Sequence, residues 1–286
     1  MREFPVFVPY DREHLAGVVT LPDEEPEGLV LLATGTGAPR SHRFQLWTTV
    51  ARRLADHGLA SVRMDYLGIA DSTGRVIERS LGELELRVHE ASAVARFAMQ
   101  AVGVDRLAVV GNCSGGLVVL GAAAQITESI GALCILPRVL QPSQMNRMVI
   151  GLRGSKAASV VRSNRLLLRL LGPLRGRKGR PRSMVQDGAA AVLARGRLMF
   201  VYSEQDTDAY NERSRMTIER MLAQLPETHR ARFELRILPE GPLSGFESIP
   251  IQERVIDTVV DWAIDCFGTT GSLERKDLQG RAIPAL

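Results

Sequence analysis

A cysteine between glycines, in the run Gly111-Asn-Cys-Ser-Gly115, is the residue best placed to do chemistry in this chain. The apolar stretch before it, Leu107-Ala-Val-Val110, suits a buried strand, and the Ala-rich stretch after it, Leu117-Val-Val-Leu-Gly-Ala-Ala-Ala124, suits a buried helix. Strand, tight turn and helix with GxCxG spacing make the setting in which a nucleophile stands exposed at the carboxyl edge of a sheet. Small neighbours are needed because the nucleophile's backbone is strained and the helix must approach the strand closely. The helix N-terminus favours the thiolate of Cys113, and the backbone N–H of Ser114 makes one donor for a developing oxyanion. The plain alternative is a small buried thiol at a tight turn.

The elements that must position this turn follow from periodicity. Phe4 to Val8 and Leu15 to Leu21 read as an antiparallel pair, and Gly28 to Thr34 as a buried strand ending in a Gly-rich turn. Phe44 to His57 has helical spacing, with Leu46, Val50 and Leu54 on one face, and Leu59 to Asp65 is the next strand. A helix at Leu84 to Val102 feeds the Leu107 strand. Strands at Gly131 to Leu136, Leu198 to Tyr202 and Arg232 to Leu238 alternate with helices at Asn211 to Leu225 and Ile251 to Phe267. This alternation predicts an α/β protein with a mostly parallel sheet and helices on both faces. Residues 137–190 interrupt it and are too long for a plain loop, so they read as a helical lid insertion, with Val160 to Leu171 as one helix. The core is then 1–136 and 191–267, and 268–286 reads as a flexible tail.

With 286 residues, 45% of them hydrophobic, the chain is long enough to bury one large core plus an insertion. No run of about 18 apolar residues suggests a transmembrane segment, and acids fall where a secretory leader would be apolar, so the cytoplasm is the expected location. The three cysteines have neither disulfide-framework nor zinc-ligand spacing, and Cys134 reads as a buried small hydrophobe. The turn at Thr34-Gly-Thr-Gly lacks the spacing of a phosphate loop or dinucleotide fingerprint, so the reading implies no cofactor and no metal. The net charge of +4 is unevenly spread: twelve Lys and Arg, and no acid, lie between Arg138 and Arg182. Such a field attracts an anionic partner, whether an acyl carrier protein, a phosphopantetheine phosphate or an acidic substrate, or lies on a membrane surface; the plain alternative is a solvated face. Nucleic acid is disfavoured, because no aromatic residue accompanies the charges.

The element order and the elbow together resemble the α/β-hydrolase fold over about residues 1–267. More narrowly, Thr34-Gly-Thr-Gly-Ala-Pro-Arg-Ser-His-Arg-Phe44, Asp65-Tyr-Leu-Gly-Ile-Ala-Asp-Ser72 and the GxCxG elbow are similar to a cysteine-elbow branch that includes hydrolase-like proteins of exosortase-associated and polyketide gene clusters. Ala70 stands where that family usually has glycine. The resemblance implies Cys113 as nucleophile, Asp206 as the acid after the strand ending at Tyr202, and an oxyanion donor from Thr36 or Gly37 beside Ser114. It also implies a histidine in a Gly-x-x-His-x-Phe pattern before the last helix. Here that stretch reads Gly241-Pro-Leu-Ser-Gly-Phe246, with Ser244 in the histidine's place, and no histidine follows His229.

A serine hydroxyl is no base at neutral pH, so ordinary acyl-enzyme turnover lacks its usual proton acceptor. Of the five histidines, His14, His57, His89 and His229 read as surface or packing residues. His42 differs, lying in the loop after the Gly28 strand, where sites of open α/β sheets form. It faces the pocket or anchors the loop. Ser244 either lines the pocket or serves the turn, and Asp65 and Asp71 read as pins for the loop after their strand. A cysteine is partly ionised near neutrality even unassisted, so acylation outlasts the loss better than deacylation by water. The first expectation is therefore an enzyme acting on an acyl or ester-type intermediate by elimination, cyclisation or acyl transfer. The alternative is a catalytically silent relative that binds a small molecule or partner, and a conventional thioesterase or esterase ranks third.

Overall fold

The computed structural model describes residues 1–35, 37–75, 83–139 and 184–268. The expected lid helix at Val160 to Leu171, the candidate Thr36 and the tail beyond 268 lie outside the described residues. Eight strands form one sheet: β1 (Arg2–Tyr10), β2 (Glu13–Leu21), β3 (Leu29–Ala33), β4 (Ala60–Met64), β5 (Leu107–Asn112), β6 (Ser129–Ile135), β7 (Arg197–Ser203) and β8 (Phe233–Leu238). Their spatial order is β1-β2-β4-β3-β5-β6-β7-β8. β1 and β2 pair antiparallel, as does β2 with β4, and every pairing from β4 to β8 is parallel.

Burial explains this arrangement. β3, β4 and β5 are buried along their whole lengths, which is why Leu-Val-Leu-Leu and Leu-Ala-Val-Val show no alternation of polar and apolar residues. The described helices are α1 (Leu46–Asp56), α2 (Glu83–Val102), α3 (Ser114–Gln125), α4 (Met184–Arg195), α5 (Glu212–Ala223), α6 (Glu227–Arg230) and α7 (Ile249–Phe267). α1 packs on α7, whereas α3 packs on α2 and α4. Chain order accounts for the two groups. From β3 the chain crosses through α1 to β4 on one side, and from β5 through α3 to β6 on the other, so right-handed crossovers set α1 and α3 on opposite faces. The carboxyl ends of β3 and β5 therefore flank the point where the winding reverses, which is where the ligand crevice of an open α/β sheet forms.

Three boundaries differ from the sequence expectation for physical reasons. α1 begins at Leu46, two residues after Phe44, because Phe44 and Gln45 both take φ of 57°; Arg43–Gln45 form a separate short turn. α3 begins at Ser114 rather than Leu117, since the helix starts on the residue after the elbow cysteine. α4 starts at Met184, within the stretch read as an insertion, and its Val185, Ala189, Val192 and Leu193 are buried. Among the described residues, no helix is long and apolar enough to cross a membrane.

Candidate active site

Cys113 takes φ 54° and ψ −123° between the end of β5 and the first residue of α3. A non-glycine residue held there is strained and persists only where its surroundings fix it. The fixing is visible. The Cys113 N–H donates to the Ile135 carbonyl at 2.8 Å, tying the elbow to the end of β6. A Cβ on Gly111 would lie 2.4 Å from the Gly115 carbonyl oxygen, and one on Gly115 would lie 2.2 Å from the Thr34 carbonyl oxygen. No side chain fits at either position, so the two glycines let α3 seat against the ends of β5 and β3. The thiol itself is half-buried. Gly35 lies across from it, where a Cβ would stand 3.5 Å from the Cys113 Cβ, and Gly37 follows at φ 94°.

The other two thiols are placed differently. Cys134 is fully buried in β6, donates to the Gly116 carbonyl oxygen at 3.1 Å, and is pushed far up from the usual thiol range by burial. Burial likewise pushes Cys266 up to about 12. Cys134 is the small hydrophobe that its surroundings in sequence suggest.

The loop after β3 brings an imidazole to the elbow. His42, at φ 59°, sets its Nε2 3.2 Å from Nδ2 of Asn112, the residue immediately before Cys113, so that the amide donates to the ring. Its ring stands edge-on to Phe246 at 5.2 Å and to Trp47 at 6.4 Å. Its other nitrogen, Nδ1, has no hydrogen-bond partner among the described residues, and neither has Asn112 Oδ1. Burial holds the imidazole below its usual pKa; a backbone hydrogen bond at Arg43 opposes that lowering and the Arg43 charge adds to it, and the net direction favours the neutral ring. The remaining histidines are elsewhere: His14 and His89 are exposed, and His57 and His229 lie half-buried away from the crevice, at the end of α1 and in α6.

Arg40 holds this loop in place. Its backbone N–H donates to Asp65 Oδ1 at 2.6 Å, while its guanidinium bonds Asp65 Oδ2 and reaches Asp71 at 2.7 Å. Asp65 is fully buried and Ser72 Oγ donates to its carbonyl. These two acids pin the loop after β4 and, through Arg40, the histidine loop as well. Beneath them Arg87 and Glu90, each 1% exposed in their side chains, pair at 2.9 Å. Glu90 accepts from the Leu67 N–H and Arg87 donates to the Leu67 carbonyl, closing the same turn.

Asp206 is buried in the turn after β7, where its own carbonyl accepts from the N–H groups of Ala209 and Tyr210. Tyr202 supports that end of the sheet, donating to the Pro137 carbonyl at 2.7 Å and stacking on Tyr210 at 4.7 Å. The partner of the Asp206 carboxylate is not an imidazole. Oδ2 accepts from the backbone N–H of Leu243, and the side chain of the next residue, Ser244, is exposed. Cys113, Ser114, Gly37 and His42 thus come to the β3 and β5 edge, and Asp206 with the 241–246 turn comes to the β7 and β8 edge. The residues not foreseen from sequence are Asn112, Phe246 and Trp47; the polar side chain directly before the elbow cysteine singles out Asn112, and no local pattern marks the two aromatic residues.

No protein-family model matches the chain, and a comparison with curated protein sequences finds no match. Solved structures do match. The chain is similar to a dienelactone hydrolase from Anabaena variabilis, with a TM-score of 0.62 at 18% identity, covering 92% of this chain and 97% of that one. It is similar to an esterase from Pyrococcus furiosus, with a TM-score of 0.64 at 14% identity, covering 93% and 92%. A third is Est1E from Butyrivibrio proteoclasticus with ferulic acid bound, with a TM-score of 0.63 at 18% identity, covering 92% and 99%. With the strand order and the elbow geometry, these likenesses establish the α/β-hydrolase fold.

Proposed function

We propose that the protein is an enzyme that forms a thioester between Cys113 and an acyl or ester-type substrate, and passes the acyl group to an acceptor other than water. The observation that carries this reading is the strained backbone of Cys113 at the start of α3, with the neutral imidazole of His42 held against its neighbour Asn112. In the first step Cys113 Sγ loses its proton to the imidazole and attacks the carbonyl carbon. The C–S bond forms as the bond to the leaving group breaks, and the leaving oxygen or sulfur takes the proton back. The N–H groups of Ser114 and Gly37 are the proposed oxyanion donors, with Thr36 as the alternative to Gly37.

The missing dyad shapes the second step. A buried imidazole without a carboxylate partner is a weak base, adequate for a thiol but poorly matched to activating water. Intramolecular attack, giving cyclisation, or transfer to an external nucleophile suits it better, and elimination from a bound intermediate needs only a base. The uncompensated positive charge between Arg138 and Arg182 suits an anionic carrier for the acyl group.

One observation favours a silent binding protein as the second reading: the Asp206 carboxylate is already occupied by the Leu243 amide. The pH dependence of iodoacetamide labelling, read by intact mass with Cys113→Ala as control, separates the two. Burial of Cys134 and the high pKa of Cys266 keep both slow, so labelling reports Cys113. Rapid, Cys113-dependent labelling with a midpoint well below the roughly 8.5 of a free thiol supports the enzyme, and trapping with an acyl thioester follows. Labelling that tracks an ordinary thiol sinks it.

A further inference from the structure

We propose that the groove between β8 and α7 is a binding site for a primary alkylammonium group, held by Asp261, Thr258 and Glu240 with its carbon chain on Ile237, Leu238 and Pro239. The site shares no residue with the elbow, so the inference stands apart from the reading of Cys113 as nucleophile.

β8 is the outermost strand of the sheet, and its carboxyl end and α7 together line a groove of about 310 Å³. Arg254, Asp257, Thr258 and Asp261 recur at helical spacing, so one face of α7 makes a wall, and the chain from Arg236 to Glu240 makes the other. Three ion pairs account for most of the charge. Arg236 Nη2 bonds Glu234 at 2.6 Å, Arg254 Nε bonds Glu240 Oε1 at 2.6 Å, and Arg53 Nη1 reaches from the last turn of α1 to Asp257 at 2.6 Å. Asp261 differs: among the described residues it accepts no hydrogen bond and joins no ion pair. Burial first, and then the carboxylates of Asp257 and Asp265, raise its carboxyl above the usual range, and Arg53 and Arg236 offset them only in part. One carboxylate of the groove is thus left without a counter-charge.

Two further groups call for a hydrogen-bond donor. Thr258 lines the groove at only 3% exposure, and its hydroxyl has no partner among the described residues. Glu240 Oε2 is buried and unpartnered, while Oε1 of the same carboxylate is taken by Arg254. Buried polar groups are seldom left unmet, so the two ask for a ligand that donates. A primary ammonium brings three N–H donors and one positive charge, which matches the acceptors on the two walls and the uncompensated Asp261. A bare metal ion suits the groove less, since among the described residues no three His, Cys, Asp or Glu side chains are grouped to hold one. A quaternary ammonium carries the charge without a donor. Leu238, 3% exposed, stands with Ile237 and Pro239 on the β8 side and gives the carbon chain hydrocarbon to lie on.

The test is a titration of the ¹⁵N-labelled protein, followed by its backbone amide spectrum at constant ionic strength. The probes are n-butylammonium, tetramethylammonium, and N-acetyl-lysine methylamide, whose amine is tethered as in a peptide. The expected result is a saturable set of shifts for n-butylammonium, centred on residues 238–240 and 257–261, with tetramethylammonium about tenfold weaker or more. Asp261→Asn should weaken n-butylammonium about tenfold and Thr258→Val about fivefold, with melting temperatures near that of wild type, because both substitutions keep the size of the side chain. An acetyl-lysine amide that equals or exceeds n-butylammonium supports the site and assigns it to a lysine of a partner chain; one that binds several-fold more weakly supports it and assigns it to a free amine. Equal responses to the two ammonium ions overturn the proposal in the wild type alone, reducing the groove to ordinary screening of surface charge. Shifts that Asp261→Asn leaves unchanged, or the absence of any saturable shift, overturn it as well.

Discussion

The loops after β3 and β8 approach the same crevice with opposite contributions. The first, residues 34–45, carries His42 and bends through positive φ at Gly37, His42, Phe44 and Gln45. It is pinned from below by Arg40 on a fully buried Asp65. The second, residues 239–248, carries no imidazole; it turns the Leu243 N–H to Asp206 and buries Phe246, at φ 51°, against the His42 ring. One loop brings the ionisable ring and the other the apolar wall on which it rests. The difference teaches that the proposed base and the buried acid need not be neighbours for both to be held firmly, since a main-chain amide satisfies the acid as an imidazole would.

The comparison breaks most sharply at His42. His42→Ala removes the only histidine placed at the elbow, and the rate of Cys113 acylation or alkylation at pH 7 is expected to fall roughly 10²–10⁴-fold, with the melting temperature little changed. Single-turnover labelling measures it, and a fall of less than about threefold would return the base to some other group. Next comes the elbow itself. Gly115→Ala would force a methyl to within 2.2 Å of the Thr34 carbonyl oxygen, which is backbone and cannot swing aside. We expect a loss of about 3 kcal/mol or more in chemical denaturation.

How far this division could be read from the residues differs between the loops. The succession of strands along the chain, the elbow and the pairing of Asp65 with its own loop follow from apolar runs and glycine spacing, because burial and close backbone approach act over a few neighbouring residues. The fixed spacing of Gly111, Cys113 and Gly115 announced a strain that the backbone carries. The His42–Asn112 contact spans 70 residues of sequence, and nothing in either local pattern encodes it. The turn at Gly241 to Phe246 misled in a different way. Its missing histidine is plain in the sequence, but a backbone N–H has no letter, so the donor that meets Asp206 could not be seen. The start of α1 was misplaced because Phe44 and Gln45 are ordinary in type and left-handed in conformation.

A smaller effect tests the pin on the first loop. Arg40→Ala leaves Asp65 Oδ2 without its guanidinium while the backbone N–H of residue 40 still reaches Oδ1. Because Asp65 is fully buried but Arg40 is partly exposed, the expected cost is about 2 kcal/mol. Cys113 labelling should slow in proportion to any release of His42. If stability falls and labelling does not, the pin holds the fold without holding the base.

The pH dependence of stability is smaller still. Burial lowers the His42 pKa below its usual 6.5 in the folded state, so on acidification the unfolded chain takes up that proton first. The contribution of the neutral ring is complete above pH 6.5, declines as the pH falls below it, and levels off once the folded imidazole is also protonated. Denaturation from pH 7.5 to 5 should therefore show a shallower loss for His42→Gln than for wild type, whatever the offset between them. Parallel curves would mean that the ring titrates normally.

The smallest expected effect is at Ser244, and it sharpens the contrast because this is where the resemblance calls for the catalytic imidazole. The hydroxyl is exposed, and the turn is held by the Leu243 N–H on Asp206 and by Gln252 Nε2 donating to the Phe246 carbonyl at 2.7 Å. Neither bond uses the Ser244 side chain. Ser244→Ala should shift stability by no more than about 0.5 kcal/mol and leave Cys113 labelling within about threefold of wild type, measured beside His42→Ala in the same assay. A large loss at Ser244 with little at His42 would reverse the assignment, placing proton transfer on the β8 side and making the imidazole of the first loop a packing residue.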